Sequence, residues 1–84
     1  MKHAGAQALD QVEPILNKLR KLDGLKERSR GVFYRGPAAF LHFHEDPAGM
    51  FADLKTGDDF ERFPANTRAE IATLLDRAVK ALKR

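Results

Sequence analysis

Apolar positions change period twice along this chain. Leu9, Val12, Leu16, Leu19 and Leu22 recur at intervals of three and four, with Ile15 widening the stripe, which predicts an amphipathic helix ending at Gly24. Pro14 leaves two starts open: near Glu13, with the proline in the first turn, or near Gln7, with a bend at the proline. The longer helix is the expectation. A second helical stripe runs through Ile71, Leu74, Leu75, Ala78 and Leu82, behind a Thr67–Glu70 capping box.

Between the stripes the period drops to two, and turn signals stand at Gly36-Pro37, at 46–49 and at Gly57-Asp58. Connections that short make neighbouring strands antiparallel. A two-residue turn at 36–37 would set Tyr34 opposite Ala39, Phe33 opposite Phe40 and Val32 opposite Leu41. A loop over 46–49 would set Glu45 opposite Met50, His44 opposite Phe51, Phe43 opposite Ala52, His42 opposite Asp53 and Leu41 opposite Leu54. These pairings sort Val32, Tyr34, Ala39, Leu41, Phe43, Met50, Ala52 and Leu54 onto one nearly apolar face, which the helices should cover. Extended across Gly57-Asp58, the register sets Asp53 opposite Arg62 and Lys55 opposite Phe60. That fourth strand is less regular, because Phe60 and Phe63 stand three apart. The expectation is an α+β fold: a four-stranded antiparallel meander with N- and C-terminal helices packed on one face, in a single domain over 1–84.

Phe33, Arg35, Phe40, His42, His44, Phe51, Asp53 and Lys55 then share the other face, joined by Phe60 and Arg62. Phenylalanines on the open side of a small sheet form a patch that needs a cover. The leading expectation is therefore a non-enzymatic interaction or ligand-binding module, with a second copy of the chain as the first candidate cover and a small ligand or protein partner as the next. Phe33, Phe40 and Phe51 would anchor the contact, His42, Asp53 and Arg62 would supply polar register, and His44 would join the binding residues.

Composition narrows the chemistry. The chain has 84 residues, 43% of them hydrophobic and 32% charged, and no Cys, so disulfides, thiolate nucleophiles and Cys-based metal sites are excluded. No apolar run approaches the roughly 20 residues of a membrane span, and Met1 to Asp10 lacks a signal-peptide core, which points to a cytoplasmic protein with no membrane partner. Ser29 lies in a polar connector without a nucleophile-elbow pattern, and the six glycines form no phosphate cradle. The leading reading requires no cofactor.

The competing reading is a metal- or His-assisted enzyme at His42, His44 and Asp53. Two histidines at i and i+2 project from one face of a strand, a spacing that metal sites use. Asp53 would be a third ligand, with Glu45 or Asp46 as a fourth, while His3 falls in a terminus expected to fray. Without a metal, His42 and Asp53 would form a cross-strand hydrogen-bonded pair worth about 0.2 to 1 kcal/mol.

Charge is uneven: residues 1–35 carry +4, 36–66 carry −4 and 67–84 carry +3. Six basic residues between Lys18 and Arg30 make nucleic acid a third reading, at a sequence pI near 9.5. An RNA-binding sheet needs exposed aromatics and positive charge on the same element, and here the aromatic segment is the acidic one, so nucleic acid is disfavoured.

The runs Gly31-Val32-Phe33-Tyr34, Ala39-Phe40-Leu41-His42-Phe43-His44-Glu45-Asp46 and Ala52-Asp53 resemble a small family of short uncharacterised bacterial hypothetical proteins, over roughly residues 19–84. The element order is more loosely similar to that of the MmcQ/YjbR-like proteins, whose strand spacing differs. The first resemblance implies no activity, and no residue roles carry over from the second.

Overall fold

Two stretches of helical periodicity and a central block of alternating residues build one hydrophobic core in the computed structural model, which describes residues 2–83, with Lys2 and His3 described by their backbone alone. The elements are β1 (Lys2–His3), α1 (Ala6–Gln11), α2 (Glu13–Arg20), β2 (Lys26–Ser29), β3 (Val32–Arg35), β4 (Ala38–Asp46), β5 (Gly49–Lys55), β6 (Phe60–Pro64) and α3 (Arg68–Leu82). The class is α+β, as the periodicity predicts. The sheet order is β2-β3-β4-β5-β6, antiparallel throughout, and β1 pairs with β4 off that path.

The proline question resolves into both alternatives at once. Helix forms from Ala6, breaks at Val12 and restarts at Glu13, so Pro14 sits in the first turn of α2, where its missing N–H costs nothing. Leu9, Val12, Ile15, Leu16 and Leu19 are all buried across the break. In α3 the capping box is present, with the Glu70 N–H donating to Thr67 Oγ1 at 3.1 Å and the Thr67 N–H donating to Glu70 Oε1 at 3.2 Å.

The β4–β5 register matches the predicted one at every pair from Leu41↔Leu54 to Glu45↔Met50. Asp53↔Arg62 and Lys55↔Phe60 hold as well. Phe60 and Phe63 require no bulge, because a separation of three in a regular strand sends the rings to opposite faces. Phe63 is buried and Phe60 is 43% exposed.

Three expectations are corrected. Four strands become six, because β2, with sequence KERS, has no apolar alternation to reveal it, and β1 is only two residues long. Charged residues suit an edge strand, where they discourage pairing with another chain. His3, expected in a frayed end, has its backbone paired opposite His44. The third correction concerns β3. Its pairing begins as predicted at Tyr34↔Ala39, then shifts at a bulge so that Phe33 faces Leu41 and Val32 faces His42. The extra residue on β4 is Phe40. One inserted position reverses the facing of β3 relative to the rest of β4, so Phe33 enters the core at 0% exposure and Val32 and Tyr34 leave it. Phe40 is also core, at 3%. Arg35 follows Phe33 to the helical side and donates to the Ala81 carbonyl of α3 at 3.3 Å.

Phe33→Ala is therefore expected to cost about 3 to 5 kcal/mol of unfolding free energy, the usual loss for deleting a buried ring. Phe60→Ala should cost less than about 1 kcal/mol. Urea denaturation of the two variants checks this, and a small loss at Phe33 would return it to the open face.

Candidate functional site

The helix-distal face owes its composition to strand phase. Leu41 and Phe43 point into the core at 0% and 1% exposure, so His42 and His44 between and beyond them must point away from it. Asp53 lies directly opposite His42 on β5, and Arg62 lies opposite Asp53 on β6. Three adjacent strands therefore deliver four polar side chains to one patch.

Side-chain geometry departs from the expected His42–Asp53 pair. His44, diagonal to Asp53, makes the contact: its Nε2 lies 3.1 Å from Asp53 Oδ2. His42 turns its Nδ1 to within 2.7 Å of the same His44 Nε2. The two rings meet edge to face, with centroids 4.7 Å apart at 85°, and the Phe60 ring supports His42 from the other side at 5.1 Å. Arg62 closes the cluster with a fork onto Asp53, Nε donating to Oδ1 at 2.8 Å and a terminal nitrogen to Oδ2 at 3.0 Å.

With both rings neutral, one hydrogen fits between His42 and His44. Placed on His44 Nε2, it points at two acceptors, His42 Nδ1 and Asp53 Oδ2. Two imidazole nitrogens and a carboxylate oxygen thus converge, and the candidate ligand atoms of His42, His44 and Asp53 all lie within 4.8 Å of one another. Such a convergence of lone pairs is suited to holding a cation.

Burial sharpens the contrast with the surroundings. Among the described residues, His44 and Asp53 are the only buried polar ones, at 8% and 9% exposure, and they lie outside the helix-covered core. Arg62 keeps its side chain half in water. The guanidinium beside Asp53 holds the carboxyl below its ordinary value, outweighing the opposing effect of burial, and the two histidines pull it in the same direction.

The structure gathers His42, His44, Asp53 and Arg62, with Phe51 partly exposed on the face opposite His44. It withdraws Phe33 and Phe40 into the core, so the proposed apolar anchors shrink from three to one. Sequence reasoning missed Val32, which the bulge brings beside His42, and Tyr34, over which Arg28 stacks at 4.3 Å. It assigned Phe60 to this face without anticipating its contact with His42. Glu45 and Asp46, considered as fourth metal ligands, are engaged elsewhere: Glu45 accepts from the Gly5 N–H at 2.7 Å and Asp46 from the Ala48 N–H at 2.9 Å. Ser29 stands two strands from His42, about 10 Å across the sheet, beyond hydrogen-bond reach. A cavity of about 230 Å³ opens elsewhere, lined by Arg35, Phe40, Lys55 and Ala81 among others, and none of the four clustered residues lines it.

Because Asp53 has a lowered pKa in the folded state, its contribution to stability is fully present above its unfolded value near 3.9 and is lost as pH falls through the folded value. Asp53→Asn is expected to cost about 1 to 2 kcal/mol at pH 7, below the upper range for charged hydrogen bonds because Arg62 is half solvated. The difference from the parent should narrow at pH 3. Urea midpoints at the two pH values test this, and a gap that stays constant would exclude the carboxylate as its source.

Comparison with known proteins leaves the cluster to be read from its own geometry, since no family model, no curated protein and no solved structure matches this chain.

Proposed function

We propose that this protein is a non-enzymatic ligand-binding module that works through the helix-distal face of its sheet, with His42, His44, Asp53 and Arg62 as the polar centre and Phe51 and Phe60 as an apolar rim. The observation that carries this reading is the burial of His44 and Asp53 outside the hydrophobic core cluster, on the sheet face opposite Leu41 and Phe43. Cross-strand stability is served as well or better by apolar pairs. A buried charged network often leaves a protein no more stable than hydrophobic residues of similar volume would, so its presence calls for a role other than holding the sheet together.

A second copy of the chain as the occupant loses support with the burial of Phe33 and Phe40, because among the described residues Phe60 is the large exposed hydrophobic that remains. Nucleic acid loses support for a different reason. Within the basic stretch, Arg20 is paired with Glu13 and Glu27, and Arg30 with Asp10 and Glu13. A small ligand that meets the polar centre directly fits the patch best. No described helix is long and apolar enough to cross a membrane.

Replacing the buried pair tests the reading without knowledge of the ligand. The double variant His44→Leu/Asp53→Val removes both partners and leaves Arg62 solvated, so its thermal and urea stability at pH 7 should equal or exceed that of the parent. A loss above about 2 kcal/mol would identify the cluster as a structural requirement of the sheet and remove the argument for a binding role.

A further inference from the structure

We infer that the ligand of this face is a divalent late transition-metal ion of the Zn2+ class, held by His42 Nδ1, His44 Nε2 and Asp53 Oδ2. The inference rests on the proposed binding role of the face and specifies its chemistry. The ion sits where these three atoms converge. Bonds of about 2.0 to 2.1 Å in tetrahedral geometry place ligand atoms roughly 3.3 Å apart. The existing separations are 2.7 Å between the nitrogens and 3.1 Å from His44 to the carboxylate, with all three groups inside 4.8 Å, so changes of at most about 1.5 Å in any separation convert one arrangement into the other.

The surroundings favour this conversion. His42, His44 and Asp53 stand on β4 and β5, both interior strands of the sheet, so their backbone positions are fixed before any ion arrives. Phe60 supports the His42 ring. Arg62 contacts both carboxylate oxygens, and releasing its contact to Oδ2 leaves the 2.8 Å hydrogen bond to Oδ1 intact. It thereby becomes the outer partner that orients the ligating carboxylate, as hydrogen-bond donors behind ligating carboxylates do at metal centres.

Donor chemistry selects the ion. Two imidazoles and one carboxylate suit Zn2+ and its neighbours, whereas Mg2+ and Ca2+ require more oxygen donors than Asp53 supplies. Both imidazoles ligate in the neutral form, so from two neutral rings the hydrogen on His44 Nε2 shifts to its Nδ1 and no net proton is released. With three protein ligands and a nearby guanidinium, the affinity falls below that of four-ligand structural zinc sites, at a Kd of about 1 to 10 µM near pH 7.5.

The test uses the full chain without a histidine tag, stripped with chelator and carrying His3→Ala so that the third histidine cannot supply the binding. Titration with ZnCl2 should show one ion per chain by calorimetry, with the imidazole NMR resonances of both remaining histidines shifting together, and MgCl2 should produce neither effect. His42→Gln and Asp53→Asn, with folding verified by amide NMR spectra, should each weaken Zn2+ binding at least about tenfold. No Zn2+ binding up to about 100 µM, or binding that both substitutions leave unchanged, overturns the metal site. That failure is distinct from failure of the binding face, which is judged by the stability of the apolar double variant.

Discussion

The pairing of β4 with β5 is the constraint on which everything else depends. Leu41↔Leu54 and Phe43↔Ala52 place their side chains beneath the helices, and His42↔Asp53, interleaved with them, must therefore face the other way. A slip of one residue would bury charge under α2 and α3 and expose four core side chains. Each fully buried aliphatic or aromatic side chain contributes about 1.5 to 3 kcal/mol, so the core enforces the register, and the register in turn enforces the polar cluster. Site and core are opposite sides of one pairing.

Against that fixed frame, the bulge at Phe40 does separate work. It adds one residue to β4 without disturbing the β4–β5 pairs, and so changes the facing of β3 and of the start of β4. The core gains Phe33 and Phe40, two rings that a small domain without disulfides can use. The open face loses the same two rings and becomes more polar. What would have been an apolar surface suited to a second copy becomes a compact cluster of ionisable groups.

Charge at the N-terminal end is organised mostly within the chain. Arg20 bridges Glu13 and Glu27, Arg30 reaches Asp10 and Glu13, and the Gly31 N–H donates to Glu27 at 3.0 Å, tying α1, α2 and the β2–β3 turn together. Gly31 lies in the left-handed region at φ 82°, and an added Cβ would come within 2.6 Å of Leu9. Turn, helix break and ion pairs thus meet at one corner, remote from the histidines in function though continuous with them through the sheet.

Periodicity by itself determined the helical stripes, the Thr67–Glu70 cap, the β4–β5–β6 register and the assignment of His42, His44, Asp53 and Arg62 to one face, because each follows from short-range geometry and alternation. Alternation carries no mark for a bulge, so the facing of Phe33 was decided only when its ring found better burial beneath the helices than on the open sheet. β2 escaped detection for a related reason: an edge strand held by backbone hydrogen bonds and charged side chains leaves no apolar pattern. Which histidine meets Asp53 was likewise a tertiary outcome. Register specifies opposite positions, while rotamers, the support of Phe60 and the fork of Arg62 determine that the carboxylate's partner is the diagonal ring.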